Sequence, residues 1–194
     1  MTALHHETAA DVLVEPDVVT HSTARRALAA LRIGVGLTFL WAFADKLLAL
    51  GFHTGANDQT GAVDRFGPDA WINGGSPTFG FLSFGVPADN PLHDFFTGMA
   101  GDAWADWLFM LGLAGIGLAL TLGVAMRPAA IAGAVLYGLM WLASFPLENN
   151  PVLDDHLIGA FTVVVLAATL AGDTWGLGAR WGRTGLVRRL PVLR

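Results

Sequence analysis

The residues best suited to acid–base chemistry in this 194-residue chain fall in four groups: Asp45–Lys46, Asp102 with Asp106, Glu148, and Asp154–Asp155–His156. Each group borders an apolar stretch. Desolvation there raises a carboxylate pKa and a neighbouring lysine lowers it, and a group held between these pulls exchanges protons. Asp102 and Asp154 read as markers of a water edge, whereas Asp45, Lys46, Glu148 and His156 adjoin or enter apolar helix and read as functional. His156 is the one histidine that falls in an apolar stretch. One histidine does not supply both axial ligands of a b-type haem. A quinone ring asks for less, one or two hydrogen-bond partners and a proton route, and His156 with Asp155 or Glu148 meets that need. The segment Ala70–Thr78, AWINGGSPT, offers backbone N–H groups at Gly74 and Gly75 beside the side chains of Asn73, Ser76 and Thr78. Two readings stand: an anion nest, aided by Lys46 or Arg65, the two cations between residues 33 and 126, or a tight turn that needs glycine for its geometry. His5–His6 reads as a solvated pair, and no metal site is expected.

Four apolar spans must position these groups, roughly Ala27–Leu50, Trp104–Ala125, Ala129–Phe145 and Leu153–Ala171. A membrane span needs about 20 mainly apolar residues. The third and fourth are shorter, so their ends reach the headgroups or the bilayer thins around them. The charges between spans sort by sign. Arg25 and Arg26 precede the first span, Arg127 links the second and third, and Arg180, Arg183, Arg188, Arg189 and Arg194 follow the fourth. The other two links hold Arg65 among many acids. Basic loops stay in the cytoplasm, which predicts a multi-pass protein of the cell membrane with both termini cytoplasmic and residues 51–103 outside. With 54% hydrophobic and 14% charged residues, the composition is not that of a soluble domain. The expected fold class is all-α: an integral membrane four-helix bundle with a structured extracytoplasmic loop between helices 1 and 2. A net charge of −5, with the few basic residues placed where topology needs them, excludes nucleic-acid binding. The absence of cysteine removes disulfides, thiolate catalysis and cysteine-ligated clusters together.

Within this plan residues 1–24 form a flexible cytoplasmic tail, 25–175 the four-span domain and 176–194 a basic cytoplasmic tail lying along the inner surface with Trp175 and Trp181. Arg32, about a turn inside the first span, is expected to snorkel to the headgroups. Gly34 and Gly36 let another helix approach closely, and the second span carries a small-residue series at Gly112, Gly115 and Ala119. The outer loop is expected to form a lid, with Trp71, Phe79, Phe81 and Phe84 on the helix ends and the Gly74–Thr78 turn facing the ionisable cluster. Pro91 is expected to start a short helix with Phe95 and Phe96 on the bilayer side. Trp104, Trp107 and Trp141 match an aromatic belt. Charge this near lipid requires partners, so Asp45 or Lys46 is expected to contact Glu148, Asp155 or His156 across the bundle.

The stretches WAFADKLLALG, AWINGGSPTFGFL, WADWLFMLGLAGIG, LENNPVLDDHLIGA and AGDTWGLGARW resemble the DoxX/DoxD superfamily, in particular its actinobacterial type described as the large membrane subunit of thiosulfate dehydrogenase (quinone). The resemblance covers roughly residues 25–194. It implies a four-helix membrane bundle that joins two thiosulfates into tetrathionate and passes the electrons to quinone. On that basis the substrate-binding set is Lys46, Trp71, Asn73, Gly74, Gly75, Ser76 and Thr78, and the catalytic set is His156, Glu148, Asp155 and Asp45. The implied partners are the lipid bilayer, quinone as acceptor, thiosulfate, and a partner subunit or a second copy of the chain. No flavin, haem or metal motif accompanies them. Three function classes follow: the quinone-linked subunit, a non-catalytic membrane scaffold for an extracytoplasmic redox partner, and a small-molecule or anion transporter, which the lack of paired broken helices disfavours.

Overall fold

The computed structural model describes residues 18–57 and 59–194, so most of the expected N-terminal tail lies outside the described residues. Those residues form helices and turns, with one isolated bridge between Ala56 and Val63. The long helices are α1 (Ser22–Leu48), α3 (Ala103–Leu122), α4 (Met126–Ala143) and α5 (Asp155–Ala168). The short α2 (His93–Thr97) lies between α1 and α3, and α6 (Gly178–Gly182) and α7 (Gly185–Arg189) follow α5. Three helices, α1, α3 and α4, are long and apolar enough to cross a membrane. Exposed apolar residues such as Leu108, Leu111, Ile131 and Val135 on their outer faces are consistent with bilayer contact.

The fourth span, expected to be short over Leu153–Ala171, is shorter still. α5 has 14 residues and rises roughly 21 Å, short of a hydrocarbon core of about 30 Å. Local chemistry sets both ends. The Asp154 carboxylate accepts the Leu157 N–H at 2.9 Å and so starts the helix. At the other end Leu170 leaves helical geometry, with φ of 51°.

α1 lies along α3, α4 lies along α5, and α3 meets α4. Phe39, Met110, Leu113, Ile116, Leu120, Val163 and Leu166 form the core between them. Two glycines permit the α1–α3 approach: a Cβ on Gly36 would strike Thr121, and one on Gly117 would strike Leu40. The C-termini of α1 and α4 and the N-termini of α3 and α5 gather at one end with residues 49–102, termed here the loop end. The opposite end is the arginine end.

At the arginine end Arg32 is completely buried rather than snorkelling. Its guanidinium donates to the carbonyls of Ala171 (3.1 Å), Leu120, Thr121 (2.9 Å), Thr174 (3.3 Å) and Trp175 (3.1 Å). The chain brings carbonyls to the cation, so it has no need to reach for headgroups. Gly123 and Gly176 clear the space, since a Cβ on either would press on the guanidinium. The segment expected as a basic tail along the inner membrane surface is docked onto the helix ends. Leu177 N–H donates to Leu122 O (2.8 Å), Met126 N–H to Arg194 O (2.9 Å) and the Trp181 indole to Leu193 O (2.7 Å). An Arg194–Asp173 ion pair at 3.0 Å closes the arrangement.

At the loop end the helix after Pro91 forms, but its aromatics divide. Phe96 is buried with Val86 and Ala143, whereas Phe95 is exposed, as consecutive helical positions about 100° apart require. Asn90 donates to the Leu142 and Ala143 carbonyls at 2.9 and 3.0 Å, satisfying the end of α4. The lid is partial. Trp71 packs edge-on against Trp107 at 4.7 Å, while Phe79, Phe81 and Phe84 are exposed, Phe84 at 81%. Leu82, not the phenylalanines, packs on the small core around Phe96.

Candidate functional site

Asp45 lies in the last turn of α1, four residues before the left-handed cap at Ala49 (φ 52°), and is 1% exposed. Its carboxylate oxygens accept the amides of Phe52 at 3.1 Å and His53 at 3.0 Å. The carboxylate is thus spent on folding the loop back. Lys46 beside it is partly buried, its ammonium 6.0 Å from the Phe109 ring centroid, at the outer reach of a cation–π contact.

The segment Ala70–Thr78 is tied internally. Trp71–Asn73 forms a 3₁₀ turn closed by Gly74 at φ 95°. The Gly74 N–H donates to Trp71 O and the Gly75 N–H to Ala70 O, both at 3.1 Å. The Asn73 amide donates to Phe66 O at 2.6 Å. The Ser76 hydroxyl (2.9 Å), the Thr78 hydroxyl (2.6 Å) and the Thr78 N–H (3.1 Å) all converge on Asp106 Oδ1. The nest envisaged for an external anion is therefore filled from within, by a carboxylate 7% exposed in the first turn of α3. Sequence reasoning placed Asp106 at a helix start but gave it no role. Its one local signal was an acid at the positive end of a helix; the donors lie 28 and 30 residues earlier.

The third group begins α5. His156 Nδ1 lies 2.7 Å from Asp154 Oδ2 and 3.7 Å from Asp155 Oδ1. A carboxylate only accepts, so Nδ1 carries the hydrogen and Nε2 is left for another partner. Asp154 sits just ahead of the helix, outside its apolar stretch. Burial works against its charge, but the Leu157 amide and the His156 ring hold its carboxyl below the usual carboxylate range. The Asp155 side chain is 94% exposed. Ligand atoms of Asp154, Asp155 and His156 lie within 4.8 Å of one another, yet the two Asp154 oxygens already face Leu157 and His156. Tyr137 of α4, absent from the sequence-based set, places its ring 6.5 Å from the imidazole and 5.3 Å from Phe39.

The structure thus gathers Ser76 and Thr78 on Asp106, and Asp154 and Asp155 around His156. It does not join Asp45 or Lys46 to Glu148, Asp155 or His156: among the described residues no ion pair or hydrogen bond links them. Glu148 is exposed in the link between α4 and α5. The physical reason is that loop amides and adjacent residues reach each buried acid first. What remains chemically available is an imidazole oriented by a carboxylate, beside a phenol, between two apolar helices. The chain matches no family model, no curated protein and no solved structure.

Proposed function

We propose that the chain is a four-helix protein of the cell membrane with cytoplasmic termini, serving as the membrane subunit of a quinone-linked oxidoreductase that converts thiosulfate to tetrathionate. The observation that carries the quinone half is the His156–Asp154 pair, a 2.7 Å contact at the head of an apolar helix. A dianion does not enter hydrocarbon unpaired, so thiosulfate reacts outside. Two thiosulfates form one new sulfur–sulfur bond and release two electrons; quinone takes those electrons with two protons to become quinol. His156 sits where a lipid-borne quinone head arrives laterally, with Asp155 open to water as the proton entry. Because Asp106 takes the Ser76 and Thr78 donors, the thiosulfate charge must be met by Lys46, by Arg65 or by a partner subunit.

A second reading has its own support. Asp45 and Asp106 are consumed structurally, and the loop carries exposed aromatics, as suits a scaffold that docks an extracytoplasmic redox partner. Thiosulfate-dependent quinone reduction by the purified chain, with lipid extraction for bound quinone, separates the two. Activity that falls in His156→Ala while Lys46→Ala chiefly raises the thiosulfate requirement supports the enzyme. No reduction and no bound quinone, with a co-purifying partner, leaves the scaffold.

A further inference from the structure

A phenol and an imidazole share the seam between α4 and α5. Tyr137 is the only tyrosine in the chain and lies six residues from the loop end of α4, about 9 Å down the helix. Its ring rests on Gly159, where a Cβ would fall 2.7 to 2.9 Å from ring atoms Cζ, Cε1 and Cε2. Only glycine admits the phenol at that position. Phe39 holds the ring edge-on from α1. His156 lies three residues before Gly159 on α5, hence on the same face, with its ring tilted 57° to the phenol.

Asp154 engages Nδ1 of this histidine. Among the described residues neither His156 Nε2 nor Tyr137 Oη has a hydrogen-bond partner, and both residues keep partial exposure. Polar tips of aromatic side chains in apolar surroundings normally find partners, and in lipid an unmet polar group is costly. Two such polar groups, on rings whose centroids lie 6.5 Å apart, suit a flat ligand that carries an oxygen at each end.

We infer that Tyr137 Oη and His156 Nε2 form a two-point site for the carbonyl oxygens of a quinone head entering between α4 and α5, with Gly159 admitting the phenol; this rests on the quinone reading above. Tyr137 donates to one carbonyl oxygen. His156 donates to the other when protonated at both nitrogens and, when neutral, accepts from the quinol hydroxyl through Nε2.

The test titrates the purified chain in lipid nanodiscs with a short-tailed benzoquinone by calorimetry. Tyr137→Phe keeps the ring on Gly159 and Phe39 and removes only the hydroxyl. It is expected to weaken binding about tenfold, one hydrogen bond lost, with the thermal unfolding midpoint unchanged. Gly159→Ala displaces the ring while retaining both polar groups and is expected to weaken binding as well. Wild-type affinity in Tyr137→Phe alongside weakened binding in His156→Ala overturns the two-point site and leaves the quinone reading standing. Wild-type affinity in both variants places the quinone elsewhere and overturns the site. No binding by the wild-type chain overturns the site and the quinone reading together.

Discussion

At the arginine end one guanidinium collects carbonyl oxygens; at the loop end three carboxylates collect N–H and O–H groups. Arg32 takes carbonyls from the last turn of α3 and from residues 171–175. Those of Leu120 and Thr121 lie at a helix C-terminus, where carbonyls lack intrahelical partners and the dipole is negative. Asp106 and Asp154 sit at the N-terminal ends of α3 and α5, where the dipole favours an acid. Asp45 departs from this rule: it stands at a helix C-terminus and is held by two loop amides instead. The ends also differ in what they leave over. The five hydrogen bonds of Arg32 use all three of its nitrogens, although Thr121 Oγ1 and Arg194 Nε at the same end are buried without a hydrogen-bond partner; the loop end retains Lys46, His156 Nε2 and Tyr137 Oη, on partly exposed residues, beside its satisfied acids. The Arg32 clamp holds its end together, and the proposed site draws on the partly exposed polar groups of the other end.

The contrast assumes that the two ends lie on opposite sides of a membrane, and that assumption gives the largest effect. Single cysteines placed by Gln59→Cys and Leu190→Cys in this cysteine-free chain should label all-or-none. An impermeant maleimide reaches the first in intact cells and the second only after permeabilisation; labelling of both from the same side breaks the comparison. Next in size is Arg32→Met. It leaves five carbonyl contacts unmet and should cost about 3 kcal/mol or more, read as a drop in the unfolding midpoint in detergent. Arg32→Lys should recover only part, since an ammonium has three donors to the guanidinium's five. Wild-type stability in Arg32→Met would mean that the clamp is not what holds that end.

The apolar runs and the arginines around them showed where helices run, and α1, α3 and α4 begin and end within a few residues of the expected spans. That part was legible because burial in lipid or core leaves a continuous signature in a short window. The shortening of α5 was legible in principle, since an aspartate three residues before an apolar position is a cap signal, but Asp154 read equally well as a water-edge marker. Arg32 was not legible. Its partners are carbonyls as far as 143 residues away, and carbonyls carry no residue identity for a sequence to display. The same limit hid Asp106 and the phenol seat on Gly159, where the signal is an absent Cβ on one helix and a ring on another.

Asp106 sharpens the comparison from the loop end. Asp106→Ala strips one acceptor from the Ser76 and Thr78 hydroxyls and the Thr78 amide. The cost should be about 1–3 kcal/mol, with faster hydrogen exchange over 76–79 and unchanged protection at Leu177, whose amide is tied to Leu122 at the far end. Loss of protection at both ends would show that the ends are one cooperative unit rather than two separate solutions.

The smallest effect on stability carries the finest distinction. Asp154 Oδ1 caps α5 through the Leu157 amide while Oδ2 orients His156. Asparagine caps a helix about as well as aspartate, whereas alanine costs about 1 kcal/mol. Asp154→Ala should therefore lower stability slightly and Asp154→Asn hardly at all. The two should behave alike in quinone reduction, because both remove the carboxylate that keeps the hydrogen on Nδ1 and Nε2 open. The acid side supplies a second readout. Burial disfavours the charge, but the Leu157 and His156 contacts win and the folded carboxyl lies below its ordinary range. Its contribution is therefore complete above the unfolded value of about 3.9 and disappears as pH falls through the lower folded value. Asp154→Asn should remove that share of the acid-side loss while leaving stability at neutral pH intact. Wild-type quinone reduction in Asp154→Asn would mean that the aspartate serves only as a cap, and the loop end would then be a second purely structural solution, the mirror of Arg32 in charge and its equal in purpose.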